Sequence, residues 1–243
     1  MAGPDPCDPT ASQLPVPDYM AELTKPVRGL TIGIDHGLLK ARADDQVLAS
    51  IEHVIEAMTG LGARIVDVTL PPIEPALTGW AWQCAVEAAI VHREHWSTRA
   101  AEYGPRLAAL IERGHRHTAF ELAEALEHRR DFAGRMEALY ADCDVLLIPG
   151  LPVAGPTLEY MSGLGEDPAA ILAIGPFTAP FDVSGQPTIT VPCGASEKTR
   201  DGGGIPLGCQ FAGPRFAEAL IARTAHAFQT ATDWHTRRPE GYA

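Results

Sequence analysis

A strand–helix–strand pattern over residues 29–68 constrains the fold of this chain more than any other feature. Gly29–Asp35 is a short apolar run that ends in an acidic residue, which is typical of a buried parallel strand. Asp44 or Asp45 can cap a following helix, whose apolar residues recur at spacings of three and four. Arg64–Val68 then predicts a second strand. Two strands joined by a helix within about 40 residues form a right-handed crossover, which predicts an α/β fold.

The remainder of the chain continues this alternation. Residues 71–140 have a helical pattern with breaks near Gly104–Pro105 and Gly114, and a capping box at Thr118 opens the last helix. Short apolar runs bounded by Gly or Pro predict three further strands: Asp144–Gly150, Thr188–Gly194 and Pro206–Gly213. A polar, glycine-rich loop separates the last two strands, and a final helix is predicted over Phe216–Ala231.

Proline marks two segments that regular elements cannot occupy. Residues 1–26 are rich in Pro and Asp, so we predict a surface arm there and a folded unit over residues 27–243. Pro149, Pro152 and Pro156 force an extended, turn-rich path after the third strand. We expect that path to cross a surface or a cleft.

Composition argues against nucleic acid and membranes as direct partners. Nineteen Lys and Arg against 31 Asp and Glu give a net charge of −12, which repels phosphate backbones and anionic membrane surfaces. No run approaches the roughly 18 apolar residues of a membrane span, and the acidic start lacks the apolar core of a signal peptide. The five cysteines are widely spaced without a C-x-x-C pair, which favours free thiols in a reducing compartment. We therefore expect a cytoplasmic protein.

No local motif defines a catalytic or metal centre. None of the six serines lies in G-x-S-x-G or beside another serine, and Ser184 is more typical of a turn or cap. Ser196 and Lys198 lie in the polar loop, and Gly202–Gly204 lacks the lysine of a phosphate-binding loop. The histidines between residues 92 and 117 lack the H-E-x-x-H order of zinc ligands and are typical of structural or solvated side chains.

Two carboxylates stand where ligands often bind in α/β sheets. Asp35 ends the first strand, and Asp182 precedes the strand that begins near Thr188. A role as a helix cap or as an acceptor for backbone N–H groups is favoured for each, since short acidic side chains commonly bond to nearby backbone.

Six blocks cover nearly the whole chain: Asp5–Tyr19, Val27–Asp35, Asp144–Leu158, Phe177–Gly194, Gly204–Ile221 and Ala225–Pro239. In content and order, from DPCDPTASQLPVPDY to AHAFQTATDWHTRRP, they resemble the carboxyl-terminal half of amidase signature family proteins. The resemblance implies a mixed, mostly buried sheet covered on both faces by helices, with residues 27–243 as part of the family domain. It also implies hydrolysis of small carboxylic amides without a metal or an organic cofactor.

In that family a serine attacks the amide carbonyl, a second serine in a cis peptide relays its proton, and a lysine is the base. These groups lie in an amino-terminal half that this sequence does not contain, so the resemblance places no catalytic residue here. It implies instead one wall of the substrate cleft around Phe177–Pro187. The candidate substrate-binding residues are Phe177, Asp182 and Gln186, of which Asp182 replaces a common Asn and Gln186 an apolar residue.

Three functions remain open at this point. The chain is the carboxyl-terminal portion of an amide hydrolase that is inactive alone, or one half of a split enzyme whose other polypeptide supplies the catalytic segment. A non-catalytic domain that holds an amide or amine through Asp182 or Gln186 is the third. An isolated half would expose a strand edge and apolar faces, so we expect a partner polypeptide or a homo-oligomer.

Overall fold

The computed structural model describes residues 3–163, 173–197 and 204–238. Five strands form one sheet in the order β2-β1-β3-β5-β4. They are β1 (Thr31–Ile34), β2 (Arg64–Asp67), β3 (Val145–Pro149), β4 (Thr188–Ala195) and β5 (Pro206–Ala212). Strand β1 pairs in parallel with both β2 and β3, whereas β5 is antiparallel to β3 and to β4. All five predicted strands form, and the predicted mixed α/β sheet is confirmed.

Helices flank this sheet. They are α1 (Tyr19–Leu23), α2 (His36–Arg42), α3 (Asp45–Gly60), α4 (Glu74–Arg99), α5 (Pro105–Arg116), α6 (Ala119–Ala138), α7 (Leu158–Gly163), α8 (Ala179–Ser184) and α9 (Glu218–Ala231). Short 3-10 turns lie at Ala100–Glu102, Leu139–Ala141 and Trp234–Thr236. Across the described residues, no helix combines the length and the hydropathy that a bilayer crossing requires.

The core lies on both faces of the sheet, as the continuous apolar run of β3 requires. Val145 and Leu147 point to one face and pack with residues of α3 and α9. Leu146 and Ile148 point to the opposite face and pack with residues of α4, α6 and α8. Each of these four side chains is at most 1% exposed, so β3 is buried on both sides.

Side-chain caps begin the helices where the sequence predicts them. The Asp44 carboxylate accepts from the Val47 N–H at 2.8 Å and opens α3. Thr118 and Glu121 form the predicted capping box at the start of α6. The last helix begins later than predicted, at Glu218, because Phe216 has a φ of 66° and its side chain is exposed. Phe216 therefore does not belong to the buried face of α9.

The helix break predicted near Gly114 lies three residues later, at His117. Helix α5 runs through Gly114, and a Cβ at this position would lie 2.0 Å from the Ala85 carbonyl oxygen. Glycine is required there because α4 and α5 approach each other closely, not because the helix ends. The chain leaves helical geometry only at His117, immediately before the cap of α6.

The amino-terminal segment lies along the surface. From residue 3 to Asp18 it contains turns but no helix or strand, and its side chains are mostly exposed. Helix α1 follows and packs against α9. The boundary at residue 26 between an arm and a folded unit stays a prediction, since α1 already joins the folded part.

Candidate functional site

The proline-rich segment after β3 lies against the start of α3. The Asp44 N–H donates to the Pro152 carbonyl oxygen at 2.9 Å, and the Ala154 N–H donates to Asp44 Oδ2 at 2.7 Å. The N–H of Gly150 donates to the Gly208 carbonyl oxygen at 2.8 Å. These bonds fix a segment without regular structure at the carboxyl end of β3, which is a common ligand position in α/β sheets.

Two adjoining hollows open along this segment. The first has a volume of about 290 Å³ and lies between the start of α3 and strands β4 and β5, with Ser50, Thr190 and Ile205 in its lining. The second has a volume of about 310 Å³ and lies between α4 and α8. Leu151, Pro156 and Thr178 line both, so the two hollows form one surface depression that we call the trough.

The trough is apolar and open. Leu151, Met161 and Ile205 line it, and these side chains are 43%, 38% and 42% exposed. Exposed aliphatic side chains that converge on one depression are typical of a ligand cleft or of a surface that another polypeptide covers.

Asp182 adds a carboxylate to the second hollow. It lies in α8, and its side chain is exposed at the surface of the hollow. The neighbouring groups still remove part of its carboxyl group from water, which raises the pKa of that group above the ordinary value. Within residues 3–163, 173–197 and 204–238, its oxygens accept no hydrogen bond and α8 has no side-chain cap. The prediction of a cap or backbone-acceptor role is therefore not met at Asp182.

Asp35 shows what that predicted role looks like. Its Oδ1 accepts from the Leu38 N–H and its Oδ2 from the Leu70 N–H, both at 2.8 Å. The side chain is buried and its hydrogen-bonding capacity is used by the fold. The prediction is confirmed for Asp35, which holds α2 and the chain after β2 together.

The other two predicted substrate-binding residues lie inside the protein. Phe177 is 1% exposed and belongs to the core, where its carbonyl oxygen accepts from Gln210 Nε2 at 3.3 Å. Gln186 is buried; its Oε1 accepts from Ser184 Oγ at 3.1 Å and its Nε2 donates to Glu137 Oε2 at 3.3 Å. Gln186 borders a separate hollow beyond α8, together with Asp182. A direct contact of Phe177 or Gln186 with substrate stays a prediction.

Two arginines anchor the helix that carries Asp182. Arg129 Nε donates to the Val183 carbonyl oxygen at 3.0 Å, and Arg215 Nη2 donates to the Ser184 carbonyl oxygen at 2.8 Å. The last carbonyls of a helix have no partner within the helix, and cations are favourable at this end of its dipole. Both guanidinium groups therefore hold the carboxyl end of α8 in place, while the Asp182 side chain stays exposed.

The described residues contain no serine paired with a basic group. Ser184 is buried and bonds to Gln186, and Ser50 Oγ donates to the Val47 carbonyl oxygen at 2.8 Å. Lys25 pairs with Glu22, and the Lys40 side chain is exposed on α2. The predicted loop features that involve Lys198 and the glycines at 202 and 203 lie outside the described residues.

Of the four histidines between residues 92 and 117, two pack against aromatic side chains and two are exposed. His92 Nδ1 lies 3.1 Å from the Tyr103 hydroxyl, and the His117 ring lies 5.3 Å from the Trp82 ring. No group of three or more His, Cys, Asp or Glu side chains is arranged to hold a metal in these ranges. All five cysteines are free thiols, of which Cys143, Cys193 and Cys209 are buried.

The described residues thus form an α/β scaffold with an apolar trough at a strand end, and none of their serine hydroxyls bonds to a lysine or an arginine. The Amidase family model matches residues 1–221 of the chain. The chain therefore belongs to the amidase signature family, and the resemblance noted in the sequence is confirmed.

The curated relatives are longer than this chain. The putative amidase AmiD of Mycobacterium tuberculosis is 39% identical over 239 residues, which are 98% of this chain and 49% of that protein. A glutamyl-tRNA(Gln) amidotransferase subunit of Moorella thermoacetica is 30% identical over 264 residues, covering 99% of this chain and 52% of that protein. The chain thus spans about half the length of the relatives it matches.

Solved structures support the same fold. A 6-aminohexanoate cyclic dimer hydrolase in complex with its substrate matches with a TM-score of 0.80 at 21% identity, over 98% of this chain and 52% of that one. A bacterial aryl acylamidase of the amidase signature family matches with a TM-score of 0.76 at 21% identity, over 96% of this chain and 50% of that one.

Sequence reasoning missed several residues that line the trough. Trp80 lies on α4 and Leu151 follows β3, so neither belongs to the predicted wall at Phe177–Pro187. Two signals were useful: the resemblance pointed to that wall, which includes Asp182, and the prolines after β3 predicted passage over a surface or cleft. Only the folded chain brings α4 and α8 to that segment.

Proposed function

We propose that this chain forms the carboxyl-terminal portion of a small-molecule amide hydrolase, in which it supplies the sheet and one wall of the amide-binding cleft. The observation that carries the proposal is the trough at the carboxyl end of β3, in a chain that belongs to the amidase signature family. Its apolar lining suits the hydrocarbon part of an amide, because burial of apolar surface favours binding.

The chemical step requires groups beyond those that the described residues supply. Amide hydrolysis needs a nucleophile with an adjacent base and donors for the oxyanion. Thr178 and Thr190 offer hydroxyl groups to the trough, but no lysine lies among its described lining residues. In the proposed enzyme the catalytic serines and lysine belong to the amino-terminal half of the domain, which faces the trough from the opposite side.

A polypeptide that carries that amino-terminal half is the partner that fits the trough best. Such a half would cover Leu151, Met161 and Ile205, whose exposure is unfavourable in water. A homo-oligomer is the alternative cover for the same apolar surface. We propose a cytoplasmic location, which the five free thiols support.

Fragment complementation tests the proposal. The chain is expressed alone and together with the amino-terminal half of the AmiD relative, and ammonia release from hexanamide is measured. We expect no release by the chain alone and release by the pair. Turnover by the chain alone that disappears in Ser184→Ala would overturn the proposal, since it would place the nucleophile here.

A matched pair of variants locates the contact. Leu151→Asp puts a charge on the trough and should prevent co-purification of the two halves, because an unpaired carboxylate would be desolvated. Leu158→Asp adds the same charge at an exposed position outside both hollows and should leave co-purification unchanged. Stabilisation of the chain by hexanamide without turnover by any pair would favour the non-catalytic binding domain instead.

A further inference from the structure

The second hollow of the trough combines one carboxylate with an aromatic ring in otherwise apolar surroundings. Asp182 contributes the carboxylate and Trp80 the indole. The remaining described lining residues carry no charge: Leu151, Pro156, Met161, Ile174, Gly175, Thr178 and Ala179. A ligand in this hollow therefore meets a single negative charge beside an aromatic surface.

The two arginines that contact α8 already donate to backbone carbonyl oxygens of this helix. The Arg129 and Arg215 guanidinium groups donate to the carbonyl oxygens of Val183 and Ser184, the two residues that follow Asp182. Within the described ranges the Asp182 carboxylate has no ion pair and accepts no hydrogen bond, whereas the Asp35 carboxylate accepts from two backbone N–H groups. Partial burial, which raises the pKa of Asp182, makes a positive ligand the favourable complement to the ionised carboxylate.

Trp80 adds a second interaction that selects the same ligand charge. The face of an indole ring is electron-rich and attracts ammonium groups that approach it. Helices α4 and α8 pack against each other, and thereby bring the indole and the carboxylate into one hollow. Asp182 and Trp80 do not line the first hollow, whose mostly apolar lining can hold the hydrocarbon chain of an amide.

We propose that Asp182 and Trp80 form an ammonium subsite, so that the amide bound in the trough carries a positively charged amine. This inference rests on the proposed function, because it takes the trough as the amide-binding cleft. It narrows the substrate class from simple amides to amides of amino acids or diamines. The chain's net charge of −12 adds a field that attracts cations toward this surface.

Two amides of equal size separate the inference from the proposed function. Hexanamide and 5-aminopentanamide have the same number of non-hydrogen atoms, but only the second ends in an ammonium group. Binding to the full chain is followed by the NMR shift of the Trp80 indole N–H, which Trp80→Phe assigns among the four tryptophans. We expect about tenfold tighter binding of 5-aminopentanamide, from an ion pair and a cation–π contact together.

The variants test the named groups. Asp182→Asn keeps the size of the side chain and should remove most of the tenfold preference while hexanamide binding stays unchanged. Trp80→Leu should lose part of the preference, measured by calorimetry because the reporter is removed. Glu218→Gln is the matched control, since it removes the same charge from a residue that lines only the hollow on the other side of α8.

Each result has one interpretation. Equal affinity for the two amides, or an undiminished tenfold preference in Asp182→Asn, would overturn the ammonium subsite and leave the amide cleft standing. Equal loss of preference in Glu218→Gln would also overturn it, because the general negative field would then explain the selectivity. Failure of both amides to bind at millimolar concentration would contradict the amide cleft itself along with the subsite.

Discussion

The buried faces of β3 and the trough beyond its end contain the same kinds of residue in opposite environments. Leu146 and Leu147 are fully buried, whereas Leu151, just past the end of the strand, is 43% exposed. Helices of the chain cover β3 on both faces, whereas the described residues leave Leu151 partly uncovered. Apolar character alone therefore does not define a core, because burial also requires an opposing surface.

The polar groups repeat this contrast. In the folded interior, carboxylate and amide groups are satisfied by the protein, as at Asp35 and Gln186. In the trough, the carboxylate of Asp182 faces the hollow. The exposed carboxylate in the trough fits the proposed ammonium subsite, whereas the carboxylate of Asp35 serves the fold.

The largest effect should come from the core side of the comparison. Phe211→Ala removes a fully buried ring from β5 and should lower the free energy of unfolding by about 3–5 kcal/mol. Leu151→Ala in the trough should change it by less than about 0.5 kcal/mol. Urea unfolding measures both, and comparable losses would mean that the trough is part of the core.

A pair of glycines tests how tightly the helical layer packs. Gly114→Ala places a methyl group against the Ala85 carbonyl and should cost about 1–3 kcal/mol. Gly134→Ala, on the exposed face of α6 with nothing within 4 Å of the added Cβ, should stabilise the protein by about 0.5–1 kcal/mol. Opposite signs in thermal unfolding are expected, and a stabilising Gly114→Ala would contradict the close approach of α4 and α5.

Arg129 and Arg130 are neighbours in the chain, but only Arg129 contacts α8. Arg129→Ala removes bonds to Val183 and Gln83 and should cost about 1–2 kcal/mol, with faster hydrogen exchange in α8. Arg130→Ala breaks only an exposed ion pair with Glu127 and should cost less than about 0.5 kcal/mol. Unchanged exchange in α8 on loss of Arg129 would refute its anchoring role.

The smallest effect concerns a buried thiol near the helical layer. Burial raises the pKa of Cys143 from 9.0 to about 11. Between these values the unfolded chain loses the proton before the folded chain does, so stability falls as pH rises through this window. Cys143→Ala should reduce this loss by less than about 1 kcal/mol, as followed by urea unfolding from pH 9 to pH 11, while Tyr140 and Cys209, whose pKa values are also raised, keep the remainder. Cys7→Ala, at an exposed thiol, should retain the loss.

Much of the fold could be predicted because its signals are local. Residues only a few positions apart determine the strand within residues 144–150 and the helix caps at Asp44 and Thr118. The break predicted near Gly114 lies three residues later, because a glycine that ends a helix and one that permits close helix packing look identical in sequence. The candidate site was harder to predict. Phe177 lies in the segment that the resemblance assigned to the cleft wall, yet its side chain is buried in the core.

By itself, the sequence determined the alternation of strands and helices, the family and the segment that crosses the cleft, because periodicity, capping and proline geometry act between near neighbours. Tertiary structure alone decided that Trp80, Leu151 and Asp182 share one hollow, while Phe177 and Gln186 turn inward. Those residues lie on separate elements, and their meeting depends on how α4 and α8 pack against the sheet. No local pattern encodes that packing, because it results from the fit of surfaces distant along the chain.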